Sequence, residues 1–187
     1  MFENLLKKIA TQLLKQNIPY MIIGGQAVLV HGEPRLTKDI DVTLGIGANE
    51  WRRMEQVIQE SGWQYLTSDV EDFVKETMVL PVKDKESGIR IDFIFSLSPY
   101  ERQAIGKAID IDLGGVAIKY AALEDVVIHK IVASRPRDIE DAKSVLLKNP
   151  GYDKEYIREW LSEFDKSLEE NFAESFDYIE EQIKQES

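Results

Sequence analysis

The stretch GGQAVLVHGEPRLTKDIDVTL, residues 24–44, decides the reading of this chain. It follows Tyr20–Ile23, a short apolar run with the pattern of a strand, and opens on two glycines. Glycine lets a backbone turn tightly and approach a ligand closely. A short helix over Ala27–His31 is expected next, broken at Gly32-Glu33-Pro34. Backbone N–H groups at the start of a helix favour phosphate. Asp39–Leu44 then alternates polar and apolar residues, the mark of a half-buried strand. Residues i and i+2 of a strand share a face, so Asp39 and Asp41 project together while Ile40, Val42 and Leu44 face a core. Two carboxylates on one face repel unless they lie in water or flank a positive charge. Mg2+ suits such a pair, because it takes oxygen ligands and keeps waters and substrate phosphates in its shell. An isolated Asp-x-Asp is more often an ordinary solvent-facing strand.

A third carboxylate changes the balance. Asp92 sits in Ile89-Arg90-Ile91-Asp92-Phe93-Ile94-Phe95, an apolar strand where a charge is costly unless paired, hydrated or metal-bound. A salt bridge with Arg90 or Arg35 is the plain alternative for it. The rest of the chain supplies the frame. Phe2, Leu5, Leu6, Ile9, Leu13 and Leu14 recur at helical spacing over residues 2–16, and Pro19 ends that helix. Asn49 or its neighbour caps a helix to about Ser61, with Trp51, Met54, Val57 and Ile58 inward. Thr77–Val82 and Ile89–Phe95 read as a hairpin around Asp84–Gly88, and Ile109–Leu113 with Val116–Lys119 as a second hairpin around Gly114-Gly115. Ser98-Pro99 with Glu101 opens another helix. From Leu123 the pattern is helical to the end, interrupted near Pro136 and at Asn149-Pro150-Gly151. The expected class is α+β, a mixed sheet with helices mainly on one face, followed by C-terminal helices. Residues 1–150 are expected to form the main domain and 151–187 an acidic helical appendage, packed on it or on a partner.

Composition narrows the chemistry. The net charge is −11 over 187 residues, with no cysteine and only two histidines, His31 and His129. Thiolate metal sites, disulfides and a cysteine nucleophile are therefore excluded. Twelve acidic and four basic residues fall between Asp153 and the end, so the tail holds −8 of the charge and the first 152 residues only −3. No run of about 18 apolar residues suggests a membrane span. Lys7 and Lys8 interrupt any apolar leader, which makes a cytoplasmic location the expectation.

Together these pieces form a constellation. Gly-Gly after a strand, then Arg-x-Thr-x-Asp-Ile-Asp, then IRIDF, resembles the DNA polymerase β-like nucleotidyltransferase superfamily. The later run LEDVVIHKIVASRPRDIEDAKSVL looks like the C-terminal motif of its abortive-infection toxin-like branch, nearest its DUF6036-like group. There the motif positions are Lys130, Arg135, Arg137, Asp138 and Asp141, and the likeness spans roughly residues 18–147. The resemblance implies a nucleotidyltransferase fold with Asp39, Asp41 and Asp92 as metal-holding catalytic carboxylates. It implies Mg2+ or Mn2+ as the metal and an NTP as substrate. Gly24 and Gly25 would present N–H groups to its phosphates. Lys130 reads equally as a phosphate ligand and as a helix-surface lysine, and Arg35 and Thr37, which share a strand face with Asp39 if that strand begins early, read as supports of the site. Many superfamily members carry Gly-Ser where this chain has Gly24-Gly25, so a hydroxyl contact is missing.

The acceptor stays open between tRNA or another RNA, a protein side chain and a small hydroxylated molecule, antibiotics included. The competing function is a catalytically idle module acting as a regulatory or toxin–antitoxin partner. Arg135, Arg137, Asp138 and Asp141 read better as an ion-pair network than as ligands. Trp160, Phe164, Leu168, Phe172, Phe176 and Ile179 repeat at helical spacing and read as core, or as a surface for a homodimer or protein partner.

Overall fold

The computed structural model of the chain describes residues 2–96 and 98–186. It begins with α1, Phe2–Lys15, whose Leu5, Leu6, Ile9, Ala10 and Leu13 are buried along one stripe. Leu14, expected in that stripe, is 76% exposed. One residue past Leu13 rotates the side chain by about 100° at 3.6 residues per turn, which carries it off the face. The helix closes before Pro19: Asn17 takes a φ of 50°, and Ile18 N–H donates to the Leu13 carbonyl at 3.0 Å.

β1 (Tyr20–Ile23) and β2 (Asp39–Leu44) fall where the sequence placed them. Between them α2, Gly24–His31, starts earlier than expected, with both glycines in its first turn. A short 3-10 turn, Ala48–Glu50, leads to α3, Arg53–Ser61. Two further elements were not legible: β3, Gln64–Tyr65, and α4, Val70–Thr77. Thr77 ends α4 instead of opening a strand, and Met78 closes the helix at a φ of 60°. β4 therefore runs Val79–Lys83 and pairs antiparallel with β5, Arg90–Phe95. α5, Pro99–Lys107, has the expected start, with Ser98 Oγ accepting from Glu101 N–H at 3.2 Å. β6 (Ile109–Leu113) and β7 (Val116–Tyr120) form the second hairpin around two glycines of positive φ.

These strands make one mixed sheet of order β3-β4-β5-β2-β1-β7-β6. β2 runs parallel to β5 and β1 parallel to β7; the other pairs are antiparallel. At the centre Met21, Ile22, Ile40, Val42, Ile91 and Phe93 have no solvent exposure at all. α1 packs against β7 and α3. The fold is the expected α+β arrangement, a mixed sheet followed by C-terminal helices.

Those helices are α6 (Leu123–Ala133), α7 (Pro136–Lys148), α8 (Lys154–Leu168) and α9 (Phe172–Glu186). The apolar repeat from Trp160 to Ile179 is thus split between two helices. Glu169 turns left-handed at a φ of 56°, and the Asp165 carboxylate accepts from Ala173 N–H at 3.1 Å. Leu168, next to the break, is 54% exposed, whereas Phe172, Phe176 and Ile179 are buried. The chain clusters into two compact units. The first is Met1–Gln26 with Leu36–Ala121 and holds the whole sheet; the second is Ala27–Arg35 with Ala122–Ser187. Residues 151–187 fall inside the second unit with α6 and α7. No helix among the described residues is long and apolar enough to cross a membrane.

Candidate active site

The sheet register of the first unit assembles the carboxylates. Asp41 on β2 is the direct partner of Asp92 on β5 and of Ile23 on β1, and Asp39 is the partner of Arg90. Neighbouring strands lie about 4.8 Å apart, so Asp41 and Asp92 stand side by side. Asp39 sits one pleat repeat along, about 7 Å away on the same face. The intervening Ile40 and Ile91 are fully buried on the opposite face. Asp39 is exposed, and Asp41 and Asp92 are half-buried. The costly charge in the β5 strand is balanced within the strand itself: Arg90 Nε donates to the two Asp92 oxygens at 2.8 and 2.9 Å.

Gly24 is required at its position for two reasons. Its φ is +62°, which L side chains rarely adopt. A Cβ built there would also lie 2.1 Å from Asp41 Oδ2. The Asp41 carboxylate is therefore pressed against the bare Cα of the residue that opens α2. The N-terminal end of that helix carries the partial positive charge of its unpaired N–H groups. Gly25 follows, buried, with no hydroxyl to offer.

Thr37 supports this corner without facing solvent. It is buried, and its Oγ1 accepts from Gln26 Nε2 at 2.7 Å. The bond ties the first turn of α2 to the segment entering β2. Gln26 is not among the residues the motif singles out. Its signal was present nonetheless: one amide ahead of Ala27-Val28-Leu29-Val30 is a polar group that burial obliges to find a partner.

Arg35 and Lys130 belong to the second unit. Lys130 is buried, with its Nζ at 2.6 Å from Asp138 and 2.9 Å from Asp141. Arg35 Nε lies 3.0 Å from the other Asp141 oxygen, and Arg135 pairs with Asp138. Burial opposes the charge on Asp138, but hydrogen bonds from Arg135 and Lys130 outweigh it and hold the carboxyl below its ordinary range. The helical motif is thus the ion-pair network expected of Arg135, Asp138 and Asp141, and Lys130 is part of it. A phosphate contact would require Lys130 to share its ammonium with two buried carboxylates. Arg35 likewise serves the network. Nearby Tyr156 donates to Asp125 at 2.9 Å, and burial with that carboxylate pushes its hydroxyl well up. Burial pushes His129 down to about 4, so the imidazole is neutral at pH 7.

The donor set on the sheet suits a hard divalent cation, being three carboxylates on one face with no softer ligand. Among the described residues no group of three or more acidic or histidine side chains is gathered closely enough to hold a metal ion, and Arg90 occupies both oxygens of Asp92.

Comparison with known proteins gives a consistent picture. The family model described as nucleotidyl transferase of unknown function (DUF2204) matches residues 2–185. No curated protein matches the chain. Among solved structures, the antibiotic-resistance factor ANT(2'')-Ia in solution aligns at a TM-score of 0.61 and 15% identity, covering 89% of this chain and 94% of that one. A crystal structure of ANT(2'')-Ia in complex with adenylyl-2''-tobramycin aligns at 0.60 and 15% identity, covering 89% and 98%. An antigenic nucleotidyltransferase-like protein from Paracoccidioides brasiliensis aligns at 0.57 and 16% identity, covering 88% and 87%. At such identities the likeness is one of fold.

Proposed function

The chain belongs to this nucleotidyl transferase family of unknown function, and from that premise we propose that it transfers a nucleoside monophosphate from an NTP to a hydroxyl acceptor at the face formed by Gly24, Asp39, Asp41 and Asp92. The observation that carries the reading is the Asp41 carboxylate seated on the bare Cα of Gly24, beside Asp92 in the ladder. Asp39, Asp41 and Asp92 would hold Mg2+ or Mn2+. Bound there, the ion supplies neutralisation of the triphosphate and activation of the attacking hydroxyl.

The chain's own residues do the positioning that nucleotidyl transfer chiefly needs. The N–H groups opening α2 receive phosphate oxygens, and Gly24 and Gly25 let the backbone approach them. Gln26 and Thr37 fix that turn. Arg90 fixes the rotamer of Asp92, which accepts a hydrogen bond from the incoming hydroxyl. Gly25 replaces a side-chain hydroxyl contact with a backbone one. The adenylylated tobramycin in the ANT(2'')-Ia complex offers a model for the reaction class, a nucleoside monophosphate placed on a hydroxyl. Placement in the abortive-infection toxin-like branch is a narrower proposal, resting on Lys130, Arg135, Asp138 and Asp141 of α6 and α7. The test is incubation with each of the four labelled NTPs, Mg2+ or Mn2+, and mixed acceptors. Label is expected on one acceptor class from one or two NTPs, and is expected to vanish in Asp39→Ala and Asp41→Ala. Equal labelling in wild type and both variants would sink the reading.

A further inference from the structure

We infer that the acceptor is anionic, carrying a phosphate close to the hydroxyl that attacks; the inference rests on the reading of the sheet face as a nucleotidyl transfer site. The ladder beyond the carboxylates carries it. Lys83 on β4 is the direct antiparallel partner of Arg90 on β5, which is in turn the direct partner of Asp39 on β2. Residues opposite one another share a face, so both cations lie on the face of the three carboxylates. Both are exposed. Asp92 and Asp39 already flank Arg90, so the charge a bound anion would chiefly offset is that of Lys83.

Neither cation is fully engaged. Only Nε of Arg90 reaches Asp92, and its terminal nitrogens bond to nothing else among the described residues. Lys83 has no ion-pair partner among the described residues, and its stem lies over Gly88, with Cε 3.7 Å from where a Cβ of that glycine would stand. In the turn between the strands Lys85 and Glu86 offset each other, and the buried Asp84 turns to Ser87 and Lys8.

Position along the sheet assigns the role. The order β4-β5-β2-β1 puts the opening of α2 at the β1 end of the site and the Lys83–Arg90 pair at the β4 end. At about 4.8 Å per strand, the two ends are roughly 14 Å apart. In-line displacement sets the attacking hydroxyl opposite the leaving pyrophosphate. With the triphosphate at the helix N-terminus, the acceptor enters from the β4 side. There it meets two cations within reach of Asp92. A polycationic acceptor would meet repulsion at that edge, whereas a phosphate would find a guanidinium and an ammonium.

The test uses the full chain with Mg2+ and four acceptors: a six-nucleotide oligoribonucleotide with a free 3′-hydroxyl, ribose 5-phosphate, ribose and tobramycin. Labelling of the oligonucleotide alone would place the phosphate in a nucleic acid; labelling of ribose 5-phosphate as well would place it in a phosphorylated small molecule. Preferential labelling of tobramycin or of ribose would overturn the inference. Oligonucleotide binding by fluorescence anisotropy gives a readout independent of turnover. Lys83→Glu is expected to weaken it about tenfold, and Lys83→Gln to lower the slope of log affinity against log salt by about 0.7, one released phosphate contact. An unchanged affinity and slope, or an equal loss of NTP affinity, would contradict an acceptor-side role. Absence of Asp41-dependent NTP binding would instead remove the nucleotidyl transfer reading beneath it.

Discussion

Two pairs of aspartates, at residues 39 and 41 and at 138 and 141, belong to motifs of similar appearance and are used in opposite ways. Asp138 and Asp141 are buried in the second unit and grip Lys130 between them, with Arg35 paired to Asp141 and Arg135 to Asp138. Asp39 and Asp41 lie on one face of the sheet in the first unit, beside Asp92, with a glycine cleared to make room for one of them. The first arrangement spends its charges on each other. The second sets three carboxylates on one sheet face beside the opening of α2, Asp92 held by Arg90, with none of them as buried as Asp138 or Asp141. Burial, more than residue type or spacing, separates the structural motif from the candidate site here.

The contrast breaks first at Asp138. Asp138→Ala leaves Lys130 buried with half its partners, and losing one member of a buried ion pair costs about 3–5 kcal/mol. Urea denaturation should show a loss of that size; a loss under about 1 kcal/mol would mean the network is not the scaffold described. Asp41→Asn should do the reverse. It is expected to lower transfer by about 100-fold or more, the scale for losing a group that stabilises transition-state charge. Its unfolding midpoint should move no more than for an ordinary surface substitution. A large drop in stability with transfer retained would place Asp41 among the structural carboxylates.

A smaller effect is expected at the boundary between glycine and carboxylate. Gly24→Ala combines a left-handed backbone with a Cβ placed on Asp41, and should cost about 1–3 kcal/mol. Nucleotide affinity should fall with it, because the carboxylate must move. Retained affinity in a correctly folded Gly24→Ala protein would remove the glycine from the site. The smallest effect concerns pH. His129 is held neutral by burial, its folded value of about 4 lying below the ordinary 6.5. A lowered value means that stability is fully present above pH 6.5 and declines as pH falls from 6.5 toward 4, where the unfolded chain takes up the proton more readily. The decline is on the order of 1 kcal/mol per pH unit in that window. Denaturation curves at pH 7 and pH 5 should differ accordingly, and His129→Leu should flatten the difference.

The strands that carry the candidate carboxylates are more legible in the sequence than the elements around them. β1, β2 and both hairpins were legible because period-two alternation and glycine turns are local signals. The third carboxylate was legible because a charge inside Ile-Arg-Ile-Asp-Phe-Ile-Phe is conspicuous. α4 was not, since Val70, Phe73, Val74 and Thr77 span only two turns and run straight into a β-branched strand. The tail looked like one helix because a spacing of four persists from Trp160 through Phe176, and a break at Glu169 leaves that spacing intact. The pairing of Lys130 is not legible because its partners at 138 and 141 lie on another helix, and pairing across helices carries no local signature. Lys83 escaped notice for the same reason: only the register of β4 on β5 brings it beside Arg90.

The most direct test is a calorimetric titration of the full chain with Mn2+ and each NTP, for wild type and Asp41→Asn. The account predicts that wild type binds at least one NTP with Mn2+ present, and that Asp41→Asn, still folded, loses that binding by about 100-fold. Equal binding by the two proteins, or binding that does not depend on the metal, would contradict it.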